Sequence, residues 1–499
     1  MREDRITLTK SITKQKREGG RQSQPHTAST RPTTQRTTLR HAGLRAVQLI
    51  VEPFQFLNFT QWDCMQAFNE HGTLKISGLI AEAHRQAYVD LSTRETWVTA
   101  KAKGTDGEDI ILFTGILTDL TVESQHQFHT MRIEVATGSY LMDQGLHTRT
   151  FQPSETRYHE VIDTCLRSAG GQFTMRQGTD ERTGQLTVQY RESNWSFIKR
   201  LAHRLGVVVL PEIKTPGKRL HLGLVQNLPG KEIQSDHFRE TRKITDPTSL
   251  IRYEQGVFNI QTRDIYELGE AVNFQGRRLW MSEVKSELVG SELMHTYHLC
   301  TLKPAYEVRQ GYDAIRGISM RAKVRAVERA RVQVSIHEDE NKQRSGQRWF
   351  EYATVYSTPD GTGFYAMPKV GDEVRVLFPN ADESGAYVVS AVHLETTGGR
   401  TNPAHQSFKN EQNMEIRMTP NSIDVTTNRG SSIEVHDSRG ITMTSDQDIF
   451  IEARKQLHIS SETDSVTVYG ERSLIVGQGA AQIHLQDHVD VSGGKINMN

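Results

Sequence analysis

Residues Ser431–Ser460 read SSIEVHDSRGITMTSDQDIFIEARKQLHIS. Within them, pairs of apolar residues one position apart return again and again: Ile433/Val435, Ile441/Met443, Ile449/Ile451 and Leu457/Ile459. The series extends back to Ile423/Val425 and forward through Val466/Val468, Leu474/Val476, Ile483/Leu485, Val489/Val491 and Ile496/Met498. Successive pairs begin about eight residues apart, and a short, nearly fixed period of this kind marks a repeat architecture. Asp, Asn, Ser, Gly, Arg and Gln fill the intervals. Side chains alternate across a strand, so each unit is one short strand with two apolar side chains on one face and a polar corner.

One strand per unit cannot enclose a core alone, since a single-chain β-helix needs about 18 or more residues per coil. The repeat therefore predicts three chains wound together. Ile423, Val425, Ile433, Val435, Ile441, Met443, Ile449, Ile451, Leu457, Ile459, Val466 and Val468 are then the trimer core around a common axis. An ordinary β-sandwich is the competing reading; the regular spacing and the lack of inward aromatic residues speak against it.

Working outward from that tail (400–499), residues 321–399 read as a compact barrel. Val324 to Val327 and Arg331 to Ile336 alternate, and Val374 to Phe378 and Ala386 to Val392 flank a polar loop. About five strands in some seventy residues suit the oligonucleotide/oligosaccharide-binding (OB) type. Trp349, Phe350, Tyr352 and Tyr356 could stack on bases, but no basic groove accompanies them and core packing explains them better. The acidic run Glu338-Asp339-Glu340 reads as a solvated loop of this barrel.

Residues 46–320 are mostly β in pattern. Thr130 to Ala136 alternates, with Met131, Ile133 and Val135 on one face. An α+β insertion over about 151–240 switches period: Tyr158, Ile162, Cys165 and Leu166 fall at helical spacing. A second helix from Ser193 to Leu205 carries Trp195, Ile198, Leu201, Ala202 and Leu205 as a stripe opposite Lys199, Arg200 and Arg204, and Gly206 ends it. Residues 1–45 hold eleven Lys/Arg against three Asp/Glu and almost no large apolar side chains. Such a segment cannot offset the entropy of ordering itself and is expected to be disordered.

The whole chain of 499 residues is neutral, with 60 basic and 60 acidic side chains, which gives no bias toward nucleic acid or anionic membranes. Its three cysteines, Cys64, Cys165 and Cys300, stand far apart and read as reduced core thiols. No apolar run approaches the ~20 residues of a membrane helix.

This order of modules resembles the VgrG proteins of type VI secretion and the hub and spike of phage baseplates. Glu192-Ser193-Asn194-Trp195-Ser196-Phe197-Ile198-Lys199-Arg200-Leu201-Ala202 is similar to the family's S-D-x-x-F-x-x-R-L-A helix. Pro368-Lys369-Val370-Gly371-Asp372-Glu373-Val374-Arg375-Val376 resembles the P-x-x-G-x-E-V-x-V signature of the baseplate OB barrel. Leu268-Gly269-Glu270-Ala271-Val272 resembles the opening of the hub's second barrel.

The resemblance implies a mainly β, multidomain protein. Hub β-barrels with an α+β insertion lead to an OB-fold barrel and then to an intertwined trimeric β-helix. It implies a homotrimer that joins the inner tube of a contractile injection system to a membrane-puncturing tip. It further implies assembly in the cytoplasm, within a phage-tail-like particle delivered outward on contraction. The implied partners are an inner-tube protein, baseplate or wedge proteins, a PAAR-type tip protein and effector cargo, with no nucleic acid.

Catalytic patterns are missing from the sequence: there is no HExxH, no Walker loop and no GxSxG. His295 and His298 fall on opposite faces of one strand, a poor metal pair. No cofactor and no enzymatic activity are expected. The alternatives are a tailspike that cleaves polysaccharide and an adhesin. For the first, Glu434, Asp437, Asp446 and Asp448 are the available carboxylates, and they read as corner residues.

Overall fold

The computed structural model describes residues 48–485 apart from 105–106, 227–228, 236, 242–253, 302–311, 359, 392–401 and 479. The expectation for residues 1–45 and the pairs Val489/Val491 and Ile496/Met498 lie outside the described residues. The chain divides into two compact units, 1–392 and 393–499.

In the first unit, strands between Leu49 and Thr301 form a twelve-stranded sheet. Its first half runs Leu49–Glu52, Trp97–Lys103, Asp109–Gln125, Phe128–Ala136, Thr73–Ile80 and Asn58–Ala67. Asn58–Ala67 then pairs antiparallel with Arg277–Val289, and Glu292–Thr301, Glu254–Thr262 and Phe238–Glu240 follow, while Ala271–Phe274 branches off Arg277–Val289 and pairs in turn with Lys231–Glu232. Period-two alternation decides which side chains go inside. Met131, Ile133 and Val135 are buried while Arg132 between them is exposed. Each half keeps its own apolar cluster, the first around Trp62, Leu74, Ile76 and Phe113, the second around Phe258, Val272, Met281 and Leu299.

The insertion supplies two of the three α-helices among the described residues: α1 (Arg85–Leu91) lies before it, and α2 (Tyr158–Ser168) and α3 (Asn194–Leu205) lie within it. Tyr158, Ile162, Cys165 and Leu166 of α2 and Trp195, Ile198, Leu201 and Ala202 of α3 bury one shared core. Ser193 starts α3 by accepting from Ser196 N at 3.1 Å, which satisfies one of the unpaired first-turn donors. Gly206 stops it at φ 71°, a left-handed conformation that glycine adopts without a Cβ penalty.

Ser319–Glu328, Arg331–Ile336, Phe350–Ala353, Tyr387–Val389 and Glu373–Leu377 close, in that order, into a barrel. Its core holds Val324, Val334, Phe350 and Val376, together with Leu186 and Val188 from the insertion. Phe350 is thus a core residue, as expected of it, whereas Tyr356 is half exposed.

The second unit, described by itself, opens with an antiparallel meander: Gln406–Lys409, Glu415–Met418, Ser422–Thr426, Ser432–His436 and Gly440–Thr444. Each strand pairs with the next in the same chain. A hairpin of Leu474–Gln478 and Ala481–Leu485 follows.

Candidate functional site: the hub–barrel junction and the apolar face of the tail

The last turn of α3 and the strand Thr187–Glu192 meet the OB barrel through a buried ionic cluster. Arg200 donates to Glu192 Oε2 at 2.8 Å, to Glu383 Oε1 at 2.8 Å and to the Val188 carbonyl at 2.7 Å. Arg204 takes the other oxygen of Glu383 at 2.5 Å. Glu383 is wholly buried. The Tyr312 ring lies 4.3 Å from the Arg200 guanidinium carbon, and its hydroxyl donates to the Tyr190 carbonyl at 2.8 Å. Burial pulls the Arg200 pKa down, but Glu192 and Glu383 outweigh it and hold the guanidinium above its ordinary value. Burial also lifts the Glu192 carboxyl above the usual range, with Arg200 opposing it.

A second clasp sits beside the first. Asp339 is buried and accepts from Thr150 N at 3.1 Å, Thr150 Oγ1 at 2.5 Å and Asn341 N at 2.7 Å. Glu340 accepts from Thr148 N at 3.1 Å and lies 2.8 Å from His147 Nδ1, while its own N–H donates to the Thr148 carbonyl at 2.9 Å. Gln152 N donates to the Ser345 carbonyl at 2.7 Å. A Cβ on Gly346 would come within 2.4 Å of Pro153 Cγ, so the glycine lets the backbone pack directly on the Pro153 ring.

These contacts correct two expectations from the sequence. Arg200 and Arg204 line the junction with the barrel, and Asp339 and Glu340 of the acidic run bind a hub strand. Their partners lie up to 193 residues away in sequence, beyond the reach of any local pattern. Chemically the arrangement resists sliding and hinging, because breaking it strands buried charges.

The tail presents a different surface. Cross-strand register builds two columns on one face: Met418, Ile423, Val435 and Ile441 in one, Phe408, Ile416, Val425, Ile433 and Met443 in the other. All nine are exposed in the single chain, Ile441 by 70%. Ile449, Ile451, Leu457, Ile459, Val466 and Val468 lie outside strands and are exposed as well. Thr442 faces the opposite side, across from Glu434.

Among the described residues no group of three or more His, Cys, Asp or Glu could hold a metal ion. His295 is buried against Ser286, while His298 lies 3.8 Å from Glu283. Glu434 bonds Arg439, and Asp446 accepts from Ser431 at a corner.

Residues 69–229 match the family described as the phage tail baseplate hub, and residues 320–393 match the type VI secretion system/phage-baseplate injector OB domain. No curated protein matches the chain. Among solved structures, the half-lidded PdpA-VgrG complex of Francisella aligns over 80% of this chain and 88% of its own, at TM-score 0.50 and 8% identity. The E. coli c3393 protein, a type VI secretion component similar to phage T4 tail proteins gp27 and gp5, aligns over 68% of this chain and 99% of its own. Its TM-score is 0.48 at 10% identity. Two modules of the chain, in this order, are thus similar to the hub and injector modules of type VI-like and phage-like contractile systems.

Proposed function

We propose that the protein acts as a homotrimer whose hub seats on the inner tube and whose tail is the puncturing spike. The observation that carries this reading is the pair of apolar columns exposed along the tail meander. An exposed apolar face of this extent marks an interaction surface. Completing the burial of each half-exposed side chain is worth roughly 1 kcal/mol. Two further copies of the same chain supply that cover, three faces closing on one axis. They also supply strand partners for the pairs from Ile449 to Val468.

The role is mechanical. Load passes from hub to OB barrel through the Arg200–Glu383 and Asp339–Thr150 contacts, which leave the two modules no soft hinge. The partners that fit are an inner-tube protein and baseplate proteins at the hub, and a PAAR-type tip protein at the spike's end. The Francisella relative is held in a complex with PdpA, which supports a further protein partner or cargo. Assembly takes place in the cytoplasm, and contraction carries the particle's tip outward.

The test contrasts neighbouring residues on opposite faces. Ile441→Asp places three carboxylates in an apolar interior, where an unpaired buried charge costs several kcal/mol. Thr442→Asp stays on the solvent side and shifts stability by no more than about 0.5 kcal/mol. The first variant loses the trimer on gel filtration and the second keeps it; equal behaviour of the two contradicts the reading.

A further inference from the structure

The two halves of the hub sheet meet where Asn58–Ala67 pairs with Arg277–Val289. Beside that seam lies a small cavity of about 70 Å³, lined by residues of both halves. Ile110, Leu112 and Ile213 give it an apolar wall. Lys214 and Glu267, ion-paired at 2.5 Å, also line it.

Three polar atoms of its lining residues are buried and make no hydrogen bond within the chain: Trp62 Nε1, Gln66 Oε1 and His295 Nε2. Their residues are 1%, 5% and 3% exposed. Two of the three side chains are held at their other polar atom. Gln66 Nε2 is engaged with Cys64 Sγ at 3.6 Å, and His295 Nδ1 lies 2.6 Å from Ser286 Oγ. The His295 ring also stacks on Tyr297, centroids 5.9 Å apart.

Buried polar groups in folded proteins are almost always paired, so three on one small cavity specify what must meet them. The indole N–H only donates and the Gln66 oxygen only accepts, while His295 Nε2 does either, depending on the tautomer. A guest that serves all three must both donate and accept. It must also be very small, since a cavity this size admits only a few molecules of water. An apolar guest would leave every one of these groups unpaired.

We propose that the hub binds an ordered cluster of two or three water molecules here, keyed by Trp62, Gln66 and His295 and bridging the two halves of the sheet. Burial holds the His295 pKa down at about 4, so the ring is neutral at ordinary pH and retains its one accepting nitrogen. The site stands independently of the trimeric reading of the tail.

Two measurements on the full chain test it. A high-resolution crystal structure is expected to show ordered water within hydrogen-bond distance of all three atoms; an unoccupied cavity overturns the proposal. Gln66→Met replaces the side-chain amide by an apolar chain of nearly the same length. If water bridges the groups, the variant lowers Tm by roughly 2–4 °C. If the cavity is dry, it removes an unpaired polar group and Tm rises or stays level, which also overturns the proposal. Should a variant fail to fold, the wild-type density decides alone.

Discussion

Arg200 Nη1 donates to Glu383 Oε1 at 2.8 Å across 183 residues of sequence, from a helix of the hub insertion to a wholly buried carboxylate of the OB barrel. That carboxylate also receives Arg204, so it neutralises two guanidinium groups at once. Removing it leaves Glu192 to serve Arg200 and no acid for Arg204 in the cluster.

Glu383→Gln is therefore expected to cost about 3–5 kcal/mol, the usual loss when one partner of a buried ion pair is removed. Denaturant titration measures it. Limited proteolysis should also show earlier cutting between hub and barrel. A loss below about 0.5 kcal/mol would mean that the cluster does not hold the junction.

Asp339 makes the second clasp through neutral donors. Asp339→Ala leaves the Thr150 N–H and hydroxyl buried without their acceptor, a cost of about 1–3 kcal/mol. Glu338→Ala, beside it, changes a side chain that faces Arg321 at the surface and is expected to be nearly neutral. If the two variants lose equal stability, the clasp is not centred on Asp339.

Much of this architecture was legible in local pattern. The alternation of Met131, Ile133 and Val135 and the stripe of Trp195, Ile198, Leu201 and Ala202 appear in the structure as buried faces. Ser193 and Gly206 bound α3 as their chemistry dictates. The tail's apolar pairs stand out because a strand's period is short and its repeats adjacent. The junction was not legible. Arg200 and Glu383 each look like ordinary surface charges in their own windows, and only the tertiary fold brings them together. The same holds for Asp339, read as part of a solvated loop, and for Phe197, buried off the main stripe of α3. In the tail, the meander's intrachain pairing over Gln406–Thr444 was likewise not evident from a one-strand repeat.

Stability should also fall with acid through His295. Burial lowers its folded pKa from 6.5 to about 4. Between those values the unfolded chain binds the proton and the folded one does not, so stability rises with pH across that window. It is complete above about pH 6.5 and declines as pH drops toward 4, by up to roughly 3 kcal/mol. Denaturant midpoints measured from pH 7.5 to pH 4 should show this slope, and His295→Gln should flatten it. An unchanged slope in the variant would assign the acid sensitivity elsewhere.

The proposed role requires three chains closed around the apolar face of the tail. Light scattering on the purified full-length protein at micromolar concentration measures that. The predicted result is a mass near three times the 56.6 kDa chain. A stable, folded species at the mass of one chain would contradict it.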